Sequence, residues 1–137
     1  MHGKVLLSTA YLPPIEYVAR LMSAREVLIE KEENYIKQTY RNRCYILSSN
    51  GPHPLTVPVL QGSFHKTPVK EIRIDYSKRW QQVHIGALAA AYRSSPFFIY
   101  YFETLEKIIL SGHELLLDLN NDLLKALLEM LDLKVKL

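Results

Sequence analysis

The chain has one cysteine, five glycines and no long apolar run, and each shortage removes a class of protein. Cys44 alone forms no internal disulfide and no cysteine metal cluster, which fits a reducing compartment and sets the expectation of a cytoplasmic protein. The apolar run at residues 5–7 is far shorter than a signal-peptide core, and nothing approaches the roughly 20 apolar residues of a membrane span. Membrane insertion is therefore not expected. Gly62-Ser63 falls well short of a glycine-rich nucleotide loop. The net charge of +3 is too mild for a nucleic-acid binder, which needs a strongly basic face, so nucleic acid is not the expected partner. Clustered Ser/His/Asp, closely paired carboxylates and Cys/His metal sets are also missing, and no metal or other cofactor is expected.

What is present suits one globular domain over residues 1–137, at 48% hydrophobic and 23% charged, with no linker or repeat. Residues 4–8 are rich in strand formers, and Pro13-Pro14 stops a strand and opens a helix. Ile15, Val18, Ala19 and Met22 recur at helical spacing and predict a helix over 14–23. Residues 26–30 predict a second strand, and strand–helix–strand order makes the pair parallel. Residues 44–47 and 55–60 flank a turn with Asn50-Gly51 and predict a hairpin, its proline-bearing strand at an edge. Val69, Ile72 and Ile74 predict a further strand over 69–75. Helices follow over 77–92 and 97–110, and a third starts with Asn120 as N-cap and Asp122 in its first turn. The fold class is α+β: a short βαβ-like start, a mixed sheet with a hairpin, then three C-terminal helices. The leucine stripe of the last helix is core or a subunit contact, the latter giving a homo-oligomer.

The densest chemistry lies at residues 34–44, where Lys37, Arg41 and Arg43 stand among Asn34, Tyr35, Thr39, Tyr40 and Asn42. Such a set grips anionic or polar ligands, and reads equally as a solvated strand edge with packing tyrosines. His84 follows Trp80 by one helical turn and is either an acid–base residue or a core histidine under the indole. Tyr11 sits where a strand hands over to a helix, the end at which α/β sheets bind ligands. Lys66 and Thr67 lie in a polar loop suited to a phosphate contact. Cys44, followed by Tyr45-Ile46-Leu47, reads as a buried strand residue and not as a nucleophile.

Tyr11-Leu12-Pro13, Asn34-Tyr35, Thr39-Tyr40-Arg41-Asn42-Arg43, Leu55-Thr56-Val57-Pro58-Val59, residues 72–75, Trp80 with His84, and Tyr92 with Ser95-Pro96-Phe97-Phe98 follow one another in the order of a known family. The chain resembles the WbqC-like proteins, in the branch common in Bacteroidetes, over residues 4–131. That resemblance implies a place in surface-polysaccharide and O-antigen biosynthesis, and a transferase that acylates, or with glycine aminoacylates, the amine of a nucleotide-linked amino sugar. The alternative is a non-catalytic subunit that binds the sugar nucleotide or scaffolds the pathway. On the enzyme reading His84 is the base. Arg41 and Arg43 then hold the nucleotide phosphate or the activated acyl donor, and Tyr11, Asn34, Tyr35, Thr39, Tyr40 and Asn42 place the sugar. Two departures stand out. Leu7-Ser8-Thr9-Ala10 occupies positions where many members carry His-Gln-Pro-Asn, and the chain stops at Leu137, where members usually continue.

Overall fold

The computed structural model describes residues 2–36, 39–48, 50–60 and 67–132. Strand β1 (His2–Ser8) leads into helix α1 (Ile15–Met22) and strand β2 (Ala24–Glu30), and β1 and β2 pair in parallel with Val5 opposite Val27 and Leu7 opposite Ile29. The two-residue period of a strand turns these four residues to one side and leaves Leu6 and Leu28 exposed on the other. The buried side of α1 carries Tyr17 and Leu21 instead of Ile15, Ala19 and Met22, which are exposed. Pro14, Tyr17, Val18 and Leu21 satisfy helical spacing as well as the expected set does, and only packing on β2 decides between the faces.

The predicted hairpin forms from β3 (Arg43–Ser48) and β4 (Gly51–Thr56), but its second strand starts and ends earlier than residues 55–60. Gly51 adopts φ +102°, open to glycine and strained for other residues, and this lets pairing begin immediately after the turn. Pro52 and Pro54 stand opposite Leu47 and Tyr45 in a two-stranded sheet, whose free edge needs no donor. Both pairings that the sequence predicts are present among the described residues, in two separate sheets and not one mixed sheet.

The strand expected at 69–75 is a 3-10 turn, Val69–Glu71, followed by single bridges from Arg73 to Leu115 and from Ile74 to Val59. The step from Val69 to Ile72 is three residues, which suits one 3-10 turn and breaks strand alternation. Helix α2 (Trp80–Tyr92) starts later than residue 77, because the Asp75 carboxylate accepts the Ser77 N–H at 2.8 Å and holds 75–77 in a turn. Pro96 opens helix α3 (Pro96–Leu110) in the first helical position, where its missing N–H costs nothing. Helix α4 (Leu116–Met130) corrects the expected N-cap. It begins before Asn120, which lies inside the helix, 1% exposed, and Asp118 occupies the first turn.

Helix α4 also joins two apolar cores. Leu116, Leu119 and Leu123 enter the larger cluster with Tyr11, Trp80, Ile72 and the hairpin. Leu124 and Leu128 enter the smaller one under β1, β2 and α1. Each such leucine, fully buried, contributes roughly 1.5–3 kcal/mol. Asn120 is the polar residue set in this apolar run, and it is central to the site. Among the described residues no helix is long and apolar enough to cross a membrane.

Candidate functional site

The chain leaves β1 through Thr9, Ala10 and Tyr11, all buried, and turns at Leu12, which holds φ +43°. A left-handed leucine costs on the order of 1–3 kcal/mol and persists only where neighbours fix it. Here the Tyr11 N–H donates to the Tyr40 carbonyl at 2.9 Å, and the Leu12 side chain packs against the larger core. This bond brings the 39–41 segment against the carboxyl end of β1. Between them lies a cleft of about 250 Å³ whose walls include Ser8, Thr9, Tyr17, Thr39, Tyr40 and Arg41.

Arg41 is the charged member of that wall. Its guanidinium pairs with the Glu33 carboxylate and reaches the Thr39 hydroxyl at 3.3 Å and the Ser8 hydroxyl at 3.4 Å. The Arg41 carbonyl accepts from the Asn120 amide at 2.8 Å, and the same amide donates to the Thr9 hydroxyl at 3.0 Å. Asn120 thus ties the end of β1 to the Arg41 segment. Four buried polar atoms of this neighbourhood lack a hydrogen-bond partner among the described residues: Arg41 Nε, Glu33 Oε2, Asn42 Oδ1 and Asn120 Oδ1. The negative charge of Glu33 also adds to burial, the larger cause, in pushing the Tyr17 phenol up to about 12.

Tyr11 links this network to His84. The His84 Nε2 lies 3.0 Å from the Thr56 carbonyl, which only accepts, so Nε2 carries the proton. Nδ1 then accepts from the Tyr11 hydroxyl at 2.7 Å. Burial lowers the His84 pKa to about 4, against a smaller opposing effect of the Thr56 hydrogen bond, so the ring is neutral at pH 7. Trp80 stacks edge-on at 5.1 Å, and both residues are almost wholly buried. Burial raises the Tyr11 phenol well above its ordinary range, with the Cys44 sulfur adding to it. The Cys44 thiol itself is pushed up to about 12 by burial and stays protonated.

The structure therefore gathers Thr39, Tyr40 and Arg41 at the cleft, while Tyr11 is fully buried and does not line it, touching the segment through its backbone N–H and carrying His84 and Trp80 on its other side. The other predicted positions lie along the segment's flanks. Asn34 bridges to Pro68, and the Tyr35 N–H donates to the Thr67 carbonyl at 2.8 Å, so Thr67 contributes backbone to a short ladder. Burial lifts the Tyr35 phenol to about 12 despite the opposing charges of Arg41 and Arg43. Asn42 is buried and donates to the Val57 carbonyl at 3.0 Å, while Arg43 Nε donates to the Thr56 hydroxyl at 2.9 Å. Lys37 and Lys66 lie outside the described residues. Sequence reasoning did not select Ser8, Thr9, Glu33 or Asn120. Asn120 had a signal: a polar residue one helical turn from Leu116 and from Leu123 and Leu124 sits on a face otherwise built to be buried.

Known proteins bear on this arrangement. A Mycobacterium tuberculosis protein described as uncharacterized is 31% identical over 139 residues, covering 100% of this chain and 59% of its own length. The chain thus spans about three-fifths of that relative. No solved structure gave a significant match. The WbqC-like protein family matches over residues 9–137, from the buried Thr9 through the whole of the Arg41 segment, the His84 helix and α4, and the chain belongs to that family.

Proposed function

We propose that the chain binds the sugar portion of a nucleotide-linked amino sugar in the cleft between the end of β1 and the 39–41 segment, within surface-polysaccharide (O-antigen) biosynthesis. One observation carries this reading: the walls of a single small cleft include the hydroxyl-bearing residues Ser8, Thr9, Tyr17, Thr39 and Tyr40 beside Arg41, although the Tyr17 hydroxyl donates to the Ser8 carbonyl and the Thr9 hydroxyl is taken by Asn120. Hydroxyls that both donate and accept, beside a planar cation, match a polyhydroxylated ligand with an anionic neighbour. The volume of about 250 Å³ lies just below the roughly 300–1,000 Å³ of drug-sized pockets, which suits one sugar ring better than a whole nucleotide. Ser8 and Thr9 line that wall, at positions where the family resemblance expects a polar run.

Transfer of glycine to the sugar amine is a further step at the same ligand. The amine would attack an activated carboxyl, a C–N bond would form as the donor's leaving group departs, and a base would take the amine proton. His84, the base that the sequence suggests, is held at both ring nitrogens and is a weak base at a pKa of about 4. This geometry favours the binding reading over catalysis by His84.

Thermal-shift titrations with UDP- and dTDP-linked amino sugars test the binding. A ligand at 100 times its Kd stabilises by about 2.7 kcal/mol. Tyr40 is half exposed and its ring meets only Tyr45 edge-on among the described ring contacts, so Tyr40→Ala should leave the unliganded Tm nearly unchanged and weaken binding at least about tenfold. Absence of stabilisation by every sugar nucleotide in the wild-type protein overturns the proposal. Glycine transfer that falls to background in His84→Ala, with the sugar nucleotide still bound, restores the catalytic assignment.

A further inference from the structure

Parallel sheets are normally covered on both faces. The β1–β2 pair is covered on one. Val5, Leu7, Val27 and Ile29 face the smaller core, while Leu6 and Leu28, opposite each other in the pairing, are 63% and 45% exposed on the outer face. Among the described residues no further strand or bridge extends this sheet at either edge. The two edges differ in charge. On the outer face β2 presents Glu26, Leu28 and Glu30, and β1 presents Lys4, Leu6 and Ser8, with the Lys4 Nζ 3.5 Å from the Glu26 carboxylate. Charged side chains guard an edge strand against pairing with another chain. On that face β2 has two carboxylates, whereas β1 has one cation that Glu26 already neutralises.

We propose that β1 pairs antiparallel with β1 of a second copy of this chain, about a two-fold axis at Leu6, and builds a four-stranded sheet in the order β2, β1, β1, β2. Self-complementary register carries the inference. With Leu6 opposite its own copy, Lys4 stands opposite Ser8 and Val5 opposite Leu7. Because Leu6 already lies beside Leu28, the centre of the outer face becomes an unbroken row of four leucines. The outer rows on either side run Glu26, Lys4, Ser8, Glu30, with no like charges adjacent, and the inner rows run Val27, Val5, Leu7, Ile29. Such a contact uses the same patch on both copies, as a closed two-fold dimer requires. The equivalent pairing of β2 about Leu28 sets Glu26 opposite Glu30 twice, and like charges directly opposite are destabilising. The paired segment, residues 4–8, is short, which places the contact below about 1,200 Å² among transient interfaces and makes the dimer reversible. The pairing needs no bound ligand and does not rest on the sugar reading.

Sedimentation velocity of the full chain from about 10 µM to about 1 mM should show a reversible monomer–dimer equilibrium, the range in which small interfaces dissociate. Leu6→Lys sets two cations opposite each other at the axis and should raise the dissociation constant at least about tenfold. Its Tm in dilute solution should stay unchanged, because Leu6 is exposed. Leu28→Lys removes a leucine from the same face one strand away from the axis, and should change the dissociation constant less than about threefold. Leu6→Cys should form an intermolecular disulfide under mild oxidation, because directly opposed residues of antiparallel strands lie about 4.5–5.5 Å apart, within disulfide reach, and Cys44 is buried. A monomer throughout the concentration range, a dimer that Leu6→Lys leaves intact, or no cross-link in Leu6→Cys overturns the proposal. Equal losses in Leu6→Lys and Leu28→Lys also overturn it, since they would mean that the leucine face associates without pairing of the β1 edge.

Discussion

The two polar networks that meet at Tyr11 differ in how completely they are satisfied. The chain Tyr11–His84–Thr56 is closed, with both ring nitrogens of His84 and the tyrosine hydroxyl engaged inside the core. The network of Arg41, Glu33 and Asn120 is open, with buried atoms left over beside the cleft. A closed buried network fixes a fold, because each partner would be costly if orphaned. An open one beside a cleft has capacity left for a ligand or water. His84 therefore belongs to the closed network of the core, and the polar segment around Arg41 to the candidate site.

The largest effect that separates the networks comes from His84→Ala. It orphans the Tyr11 hydroxyl and the Thr56 carbonyl and leaves a cavity beside Trp80, a loss of about 4 kcal/mol in urea unfolding. A loss below about 1 kcal/mol would show that the closed network does not hold the core.

Acid titration sharpens the same contrast. The His84 pKa falls from 6.5 in the ordinary state to about 4 in the fold, so between those values the unfolded chain binds a proton that the native one does not. Stability is then fully present above pH 6.5 and is lost as pH falls towards 4, by on the order of 3 kcal/mol. The difference between wild type and His84→Phe, measured by denaturant unfolding at pH 7 and pH 4.5, isolates this contribution. An equal pH dependence in both proteins would mean that His84 is not held neutral by the fold.

How far these networks could be read from sequence follows from the distance their contacts span. The parallel β1–β2 pair, α1 and the hairpin rest on local patterns of two and 3.6 residues and on Gly51, and all were legible. Tyr40 and Arg41 stood out because their segment is compositionally dense. Glu33, Ser8 and Thr9 did not, since their roles depend on where the chain returns. Asn120 reaches Thr9 across 111 positions and Arg41 across 79, and nothing local encodes either contact. Its neighbourhood, Asn120-Asn121-Asp122 before Leu123-Leu124, imitates a helix start, yet Leu116, Leu117 and Leu119 already carry the apolar stripe that extends α4 backwards. Likewise Val69, Ile72 and Ile74 resemble a strand only if the three-residue first step is ignored.

The smallest of these effects tests whether the open network is organised by Asn120. Asn120→Leu keeps the approximate shape and suits both leucine cores that flank it, so packing is nearly conserved. What is lost is one amide that donates to Thr9 and to the Arg41 carbonyl, and both buried acceptors go unmet. The expected cost is about 2 kcal/mol, a fall in Tm of roughly 5–8 °C. Because the amide ties the end of β1 to the Arg41 segment, sugar-nucleotide affinity should fall with it, while the pH dependence assigned to His84 stays as in the wild type. Loss of that pH dependence in Asn120→Leu would mean that the two networks are one cooperative unit, and that Tyr11 transmits a change at the cleft to His84 instead of separating the two.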